Sequence, residues 1–208
     1  MYTNEKPLVI GIFGGSGSGK TTLLRRLSEM FSYYDPSIFS MDNYYRPIEE
    51  QCKDENDVVN FDLPTALQGD KLVRDLKSLL KGEEIVVKEY FFNSPPDKNV
   101  LLTIRPARII IVEGLFLFHF PEIPSLLNFS IFVEVDHSIQ LDRRLYRDQE
   151  TRGYRRDDIL YQWHNHVLPC YEKYIFPYRN KADFIFQNDH RWEGEFLRLK
   201  ESLKRFFE

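Results

Sequence analysis

Cysteine is scarce: Cys52 and Cys170 are the only two, far apart and without metal-type spacing, which excludes a disulfide framework and points to reduced thiols. Long apolar runs are missing too. No stretch approaches the ~20 residues of a membrane span, and Met1 to Pro7 carry no apolar signal core, so a cytoplasmic protein without a membrane partner is expected. The formal net charge of −4 gives no overall pull toward nucleic acid. Repeats, low-complexity tracts and linkers are absent, and a single domain over residues 1–208 is the expectation. A hydrophobic content of 42% is enough for a sizeable core at this length.

What the chain does have is Gly14-Gly15-Ser16-Gly17-Ser18-Gly19-Lys20-Thr21, set between the apolar run Leu8–Phe13 and a helical pattern from Thr22 to Leu27. Strand, glycine-rich loop and helix is the context in which Gly-x-x-x-x-Gly-Lys-[Ser/Thr] cradles a polyphosphate. Inward-turned backbone N–H groups and the positive helix end supply the attraction. Gly14 to Thr22 are therefore candidate nucleotide-binding residues, with Lys20 on the β/γ-phosphates and Thr21 on Mg²⁺.

Helical and strand patterns alternate along the rest. Strands are expected at Ser37–Met41, Arg108–Val112, Phe129–Val135 and Ala182–Phe186. Helices are expected from Pro64 to Gly82, from about 137 to 152 with Asp136 as N-cap, from about 157 to 175, and from Arg191 to Phe207. Glu84–Phe92 and Leu101–Ile104 flank Asn93-Ser94-Pro95-Pro96-Asp97 and look like a hairpin inserted at about 84–106. The fold class is α/β, a doubly wound, mostly parallel sheet, in which chemistry gathers beyond the carboxyl ends of the strands.

That rule singles out the strand-terminal acids. Glu113 stands where the second acidic residue of a P-loop protein holds Mg²⁺. Asp42 is a candidate general base for a kinase acting on an alcohol, or else a turn aspartate ahead of Asn43-Tyr44. Between Asp142 and Asp158 six arginines alternate with five acids, a net of +1 that argues against a nucleic-acid face and for an arginine-bearing lid at about 143–160. Asn180-Lys181-Ala182-Asp183 matches a guanine-reading pattern but precedes a strand instead of following one, and Asp-x-x-Gly is absent. His164 and His166, two apart on a helix, make a poor metal pair and read as surface or core-edge residues.

With Ser40–Arg46, Asn60–Ala66, Val112-Glu113-Gly114, Phe132–Asp136, Arg143–Asp148, Arg152-Gly153 and Lys181–Asp183 in this order, the chain resembles the uridine kinase family, in the uridine kinase/phosphoribulokinase group of P-loop kinases. The resemblance covers Leu8 to about Phe186. It implies ATP (or GTP) as donor with Mg²⁺, and phosphorylation of the 5′-hydroxyl of uridine or cytidine in pyrimidine salvage. Asp42 would be the base and Asp62 would hold the ribose. Tyr45, Tyr90 and Phe92 would line the nucleoside pocket, Arg147 and Arg152 would meet phosphates, and Arg144 and Gln162 would position substrate. A homo-oligomer, tetramer or dimer, is implied as well. Two positions depart from the family pattern: Pro95 stands where a histidine reads the base, and Tyr154 replaces the second arginine of Arg-Gly-Arg, with Arg155 adjacent. The alternatives are a kinase of the same group acting on a sugar phosphate or other small alcohol, and a non-catalytic ATP-binding regulatory protein.

Overall fold

β1 (Leu8–Gly14) is apolar almost throughout and lies at the centre of a five-stranded sheet, buried on both faces. The computed structural model describes residues 6–92 and 100–207. Around β1 run β2 (Ser37–Ser40), β5 (Ile109–Glu113), β6 (Phe129–Glu134) and β7 (Phe184–Gln187), in the order β2-β5-β1-β6-β7, every pair parallel. β3 (Ile85–Lys88) and β4 (Leu101–Ile104) form a separate antiparallel hairpin, as expected. Its connecting turn, with Pro95 and Pro96, lies outside the described residues.

Alternation along the strands builds two cores. Val9, Phe13, Ile110, Val112 and Phe132 face one side, where α2 (Gly69–Leu80) packs through Leu72, Val73, Leu76 and Leu79. Ile10, Ile12, Ile109, Ile111, Ile131 and Val133 face the other, where α1 (Lys20–Met30) supplies Leu23 and Leu27, and Phe196, Leu199 and Leu203 close the layer. Helices on both faces of a parallel sheet complete the expected doubly wound α/β arrangement. Among the described residues no helix is long and apolar enough to cross a membrane.

Register sets the site. Ile12 pairs with Glu113 and Ser40 with the same Glu113, so β1, β5 and β2 end side by side. The chain leaves β1 into the glycine loop and leaves β2 into a 3₁₀ turn carrying Asp42.

Several boundaries differ from expectation. Pro64 opens only a 3₁₀ turn, Pro64–Ala66, and the helix starts at Gly69. The chain straightens between them because the Ala66 carbonyl accepts from the Arg46 N–H (2.9 Å) and the Gln51 amide (3.2 Å), while Leu67 bridges to Tyr45. Asp136 occupies the N-cap of α3 (His137–Glu150), but its side chain makes no capping bond. The next helix begins as α4 (Arg156–Gln162) and passes through two wide π turns, Trp163–Val167 and Tyr171–Ile175, on either side of α5 (Leu168–Cys170). Those turns flank Pro169, which has no N–H to give the α ladder. α6 (Trp192–Lys204) closes the chain.

β7 starts two residues later than expected because Asp183 is engaged elsewhere. Its Oδ2 accepts from the Ser130 N–H (2.8 Å) and hydroxyl (2.6 Å), pinning the entry of β7 to β6. The guanine-like pattern is thus a strand clamp. Asp183→Ala should lower stability by about 1–3 kcal/mol, since it strands a buried N–H, and leave the relative use of adenine and guanine nucleotides unaltered. An unmoved denaturant midpoint, or a switch in donor preference, would reject this.

Candidate active site

The glycine loop keeps its shape through close approaches that only glycine permits. Gly17 has φ +80° and a Cβ there would lie 2.6 Å from the Gln140 carbonyl oxygen; Gly19 has φ +96° and lies against the Asn188 amide. Outside the loop, the Arg143 guanidinium donates to the Gly17 (3.4 Å), Ser18 (3.2 Å) and Asn188 (3.1 Å) carbonyls, and the Asn188 amide donates to Ser18 (2.5 Å). These bonds engage the carbonyls of Gly17 and Ser18. The first N–H groups of α1 have no side-chain cap, because the N-cap is Gly19. An uncapped helix start at the mouth of such a loop is a place for phosphate oxygens.

Lys20, only 9% exposed, donates to the Gly15 carbonyl at 3.0 Å and lies 4.0 Å from Glu113. Burial lowers the pKa of its ammonium, against the opposing pull of Glu113 and Asp42. Burial pushes Glu113 up to about 7, with Asp42 adding to the rise and Lys20 resisting it. Asp42 is raised as well, by burial first, while Lys20, Arg152 and Arg147 pull it down. The Ser40 hydroxyl accepts from the Asp42 N–H (3.3 Å) and fixes the turn.

Asp42 and Glu113 bring carboxylate oxygens to one cleft. Thr21 lines the same cleft. Among the described residues no three His, Cys, Asp or Glu side chains form a self-sufficient cage. One or two carboxylates plus substrate phosphates is the way Mg²⁺ is usually held, so these residues fit that ion.

The cleft, of about 450 Å³, is also lined by Tyr45, Phe61 and Phe92, together with Asp62 and Gln162. Tyr45 and Phe92 meet edge to face at 5.3 Å. Tyr90 stands behind them, 5.0 Å from Tyr45 and 4.9 Å from Phe92, and supports the wall without lining it. The Asn60 side chain accepts from the Asp62 N–H (2.9 Å) and orients the buried Asp62. The Arg152 guanidinium sits 4.0 Å from the Phe92 ring.

One residue that sequence reasoning counted only as a neutralising acid organises the arginines. Asp148, 1% exposed, meets Arg147 at 2.7 Å, Arg152 at 3.2 Å and Arg144 at 3.4 Å. Arg144 also donates to the Ser16 hydroxyl (2.7 Å), and its Nε is buried without a partner. The spacing was a signal: Asp148 is four residues from both Arg144 and Arg152. Arg155 is exposed at the N-cap of α4, and Tyr154 lines the cleft in its place. Of the histidines, His164 is exposed as expected, but His166 is buried in the cleft wall. Nothing in its spacing announced that.

Residues 9–191 match the phosphoribulokinase / uridine kinase family. The chain is 33% identical over 202 residues to a uridine kinase of Chlamydia pneumoniae, covering 97% of this chain and 90% of that protein. It is 35% identical over 187 residues to a uridine kinase of Lactobacillus helveticus, with 87% and 86% covered. In fold it is similar to phosphoribulokinase from Rhodobacter spheroides, with a TM-score of 0.64 at 16% identity over 88% of this chain and 70% of that one.

Three guanidiniums sharing one carboxylate should release it to a polyanion. Asp148→Asn is expected to melt at a lower temperature without anion, because the cations lose their shared counter-charge. It should also be stabilised more by inorganic triphosphate at low salt than the parent is. Equal triphosphate shifts in both proteins would sink the idea of competition.

Proposed function

Because the chain belongs to the phosphoribulokinase / uridine kinase family, and is thus an ATP-dependent kinase, we propose that it transfers the γ-phosphoryl group of ATP to the 5′-hydroxyl of a pyrimidine ribonucleoside. The observation that carries this reading is that Lys20, Asp42, Asp62 and the aromatic pair Tyr45 and Phe92 all line one cleft. The same cleft thus offers the glycine-loop residues, aromatic rings and carboxylates to a ligand. Flat walls suit a heteroaromatic acceptor better than a sugar phosphate, whose only large surface is polar.

The roles follow from the chemistry of each group. ATP phosphates lie on the Gly14–Thr22 loop, with Lys20 toward the β/γ-phosphates. Thr21 and Glu113 hold Mg²⁺, which when bound offsets charge on the phosphate oxygens. Asp62 takes the ribose hydroxyls, and Tyr45 and Phe92 hold the base, backed by Tyr90. Asp42 accepts the 5′-hydroxyl proton as the phosphorus–oxygen bond forms; its burial makes it a stronger base than a solvated aspartate. Arg147 and Arg152, freed from Asp148, meet the transferring group, while Arg144 and Gln162 orient the two substrates. Closure of residues at about 143–160 over the phosphates would exclude water.

ADP release should be stimulated by uridine or cytidine and much less by sugar phosphates or small polyols. Asp42→Asn should lower kcat by about 10²–10⁴-fold with ATP affinity retained. Stimulation by a sugar phosphate alone would transfer the acceptor to the sister class. Normal turnover by Asp42→Asn would remove the base assignment.

A further inference from the structure

The loop ahead of Asp62 is fastened to the helical wall through one carboxylate whose two oxygens do different work. Asp54 Oδ1 accepts the N–H groups of Asn56 (2.9 Å) and Val58 (2.9 Å) and so closes its own turn. Asp54 Oδ2 accepts from the Tyr161 hydroxyl (2.7 Å) and meets Nε2 of His166 (2.7 Å). Asn56 donates to the same Tyr161 oxygen at 2.7 Å. These donors hold the Asp54 carboxyl well below the usual carboxylate range, Tyr161 foremost and His166 next, outweighing the opposite pull of desolvation.

An ionised carboxylate can only accept, so the imidazole must carry its proton on Nε2. With the ring neutral, Nδ1 is left with a lone pair. No second hydrogen bond joins the ring to any described residue. His166 is only 2% exposed, yet it lines the cleft, as do Gln162 four residues earlier and Val59. An acceptor on a binding wall that no protein group engages is open to a donor on a bound ligand.

We propose that His166, oriented by Asp54, is a specificity-determining residue of the acceptor end. Its Nδ1 accepts a hydrogen bond from an exocyclic amino group on the edge of the bound base. This rests on the nucleoside reading above and narrows it to an amino-bearing pyrimidine. Asp54 acts through His166, so it is a positioning residue.

Wild-type enzyme should favour cytidine over uridine by about tenfold or more in kcat/KM. His166→Phe keeps a ring beside Tyr161 and should bring that ratio close to one through the acceptor KM, with KM for ATP unmoved. Asp54→Asn is the sharper probe. Its Oδ1 can still close the turn, but its amide now donates to Nε2 and drives the ring proton to Nδ1. The wall then offers a donor where it offered an acceptor, and the preference should move toward the 4-oxo base of uridine. A merely structural role would lower both substrates together. Turnover of both nucleosides with a ratio unaffected by either substitution would overturn this inference alone. No turnover of either nucleoside by the parent would overturn the nucleoside reading and this inference with it.

Discussion

A buried ammonium, Lys20, holds the cleft together, and the cost of keeping it there governs much of what surrounds it. An unpaired charge out of water costs several kcal/mol, so it persists only when hydrogen-bonded and faced by opposite charge. The Gly15 carbonyl and Glu113 supply those partners, and each depends on the sheet. Gly15 follows the end of β1, and Glu113 ends β5 in register with Ile12 of β1. A one-residue slip in that pairing would turn Glu113 to the other face and leave the ammonium facing hydrocarbon. The fold and the site are for this reason a single constraint.

Positive charge is handled differently on the other side of the cleft. Arg144, Arg147 and Arg152 would repel one another if Asp148 did not sit among them, and Asp148 would not tolerate burial without them. The result is a set of cations held in place before any phosphate arrives. Preorganised charge of this kind costs little to reorient when a ligand arrives. Arg143 stands apart from the set and braces the glycine loop from behind, so neighbours on one helix serve two purposes.

Legibility in the sequence followed the physics of each signal. The glycine loop, the apolar strands and their acidic ends could be read because sheet burial demands continuous apolar runs and their ends are abrupt. Asp42 and Glu113 were singled out by their places at strand ends, and both line the cleft, although position alone left Asp42 open between a base and a turn residue. The start of α2 was misjudged at Pro64, since capture of the Ala66 carbonyl by Arg46 and Gln51 is a contact across the fold. Asp148 was hidden among compensating charges: counting signs discards geometry, although its spacing of four from two arginines held the clue. His166 had no local signal, because its partner Asp54 is more than a hundred residues away in the chain. Periodicity tells which face a residue is on; it does not tell which distant loop will come to rest there.

The wide turns on either side of Pro169 have an evolutionary consequence. A π turn accommodates one residue more than an α turn over nearly the same rise, so residues past it are rotated by about 100° relative to an uninterrupted helix. Related lineages that gain or lose a single residue here can re-index the wall bearing Gln162 and His166 while both ends of the helix stay docked. A change of diet for such an enzyme could then come from an insertion or deletion in this helix, with the phosphate machinery inherited untouched.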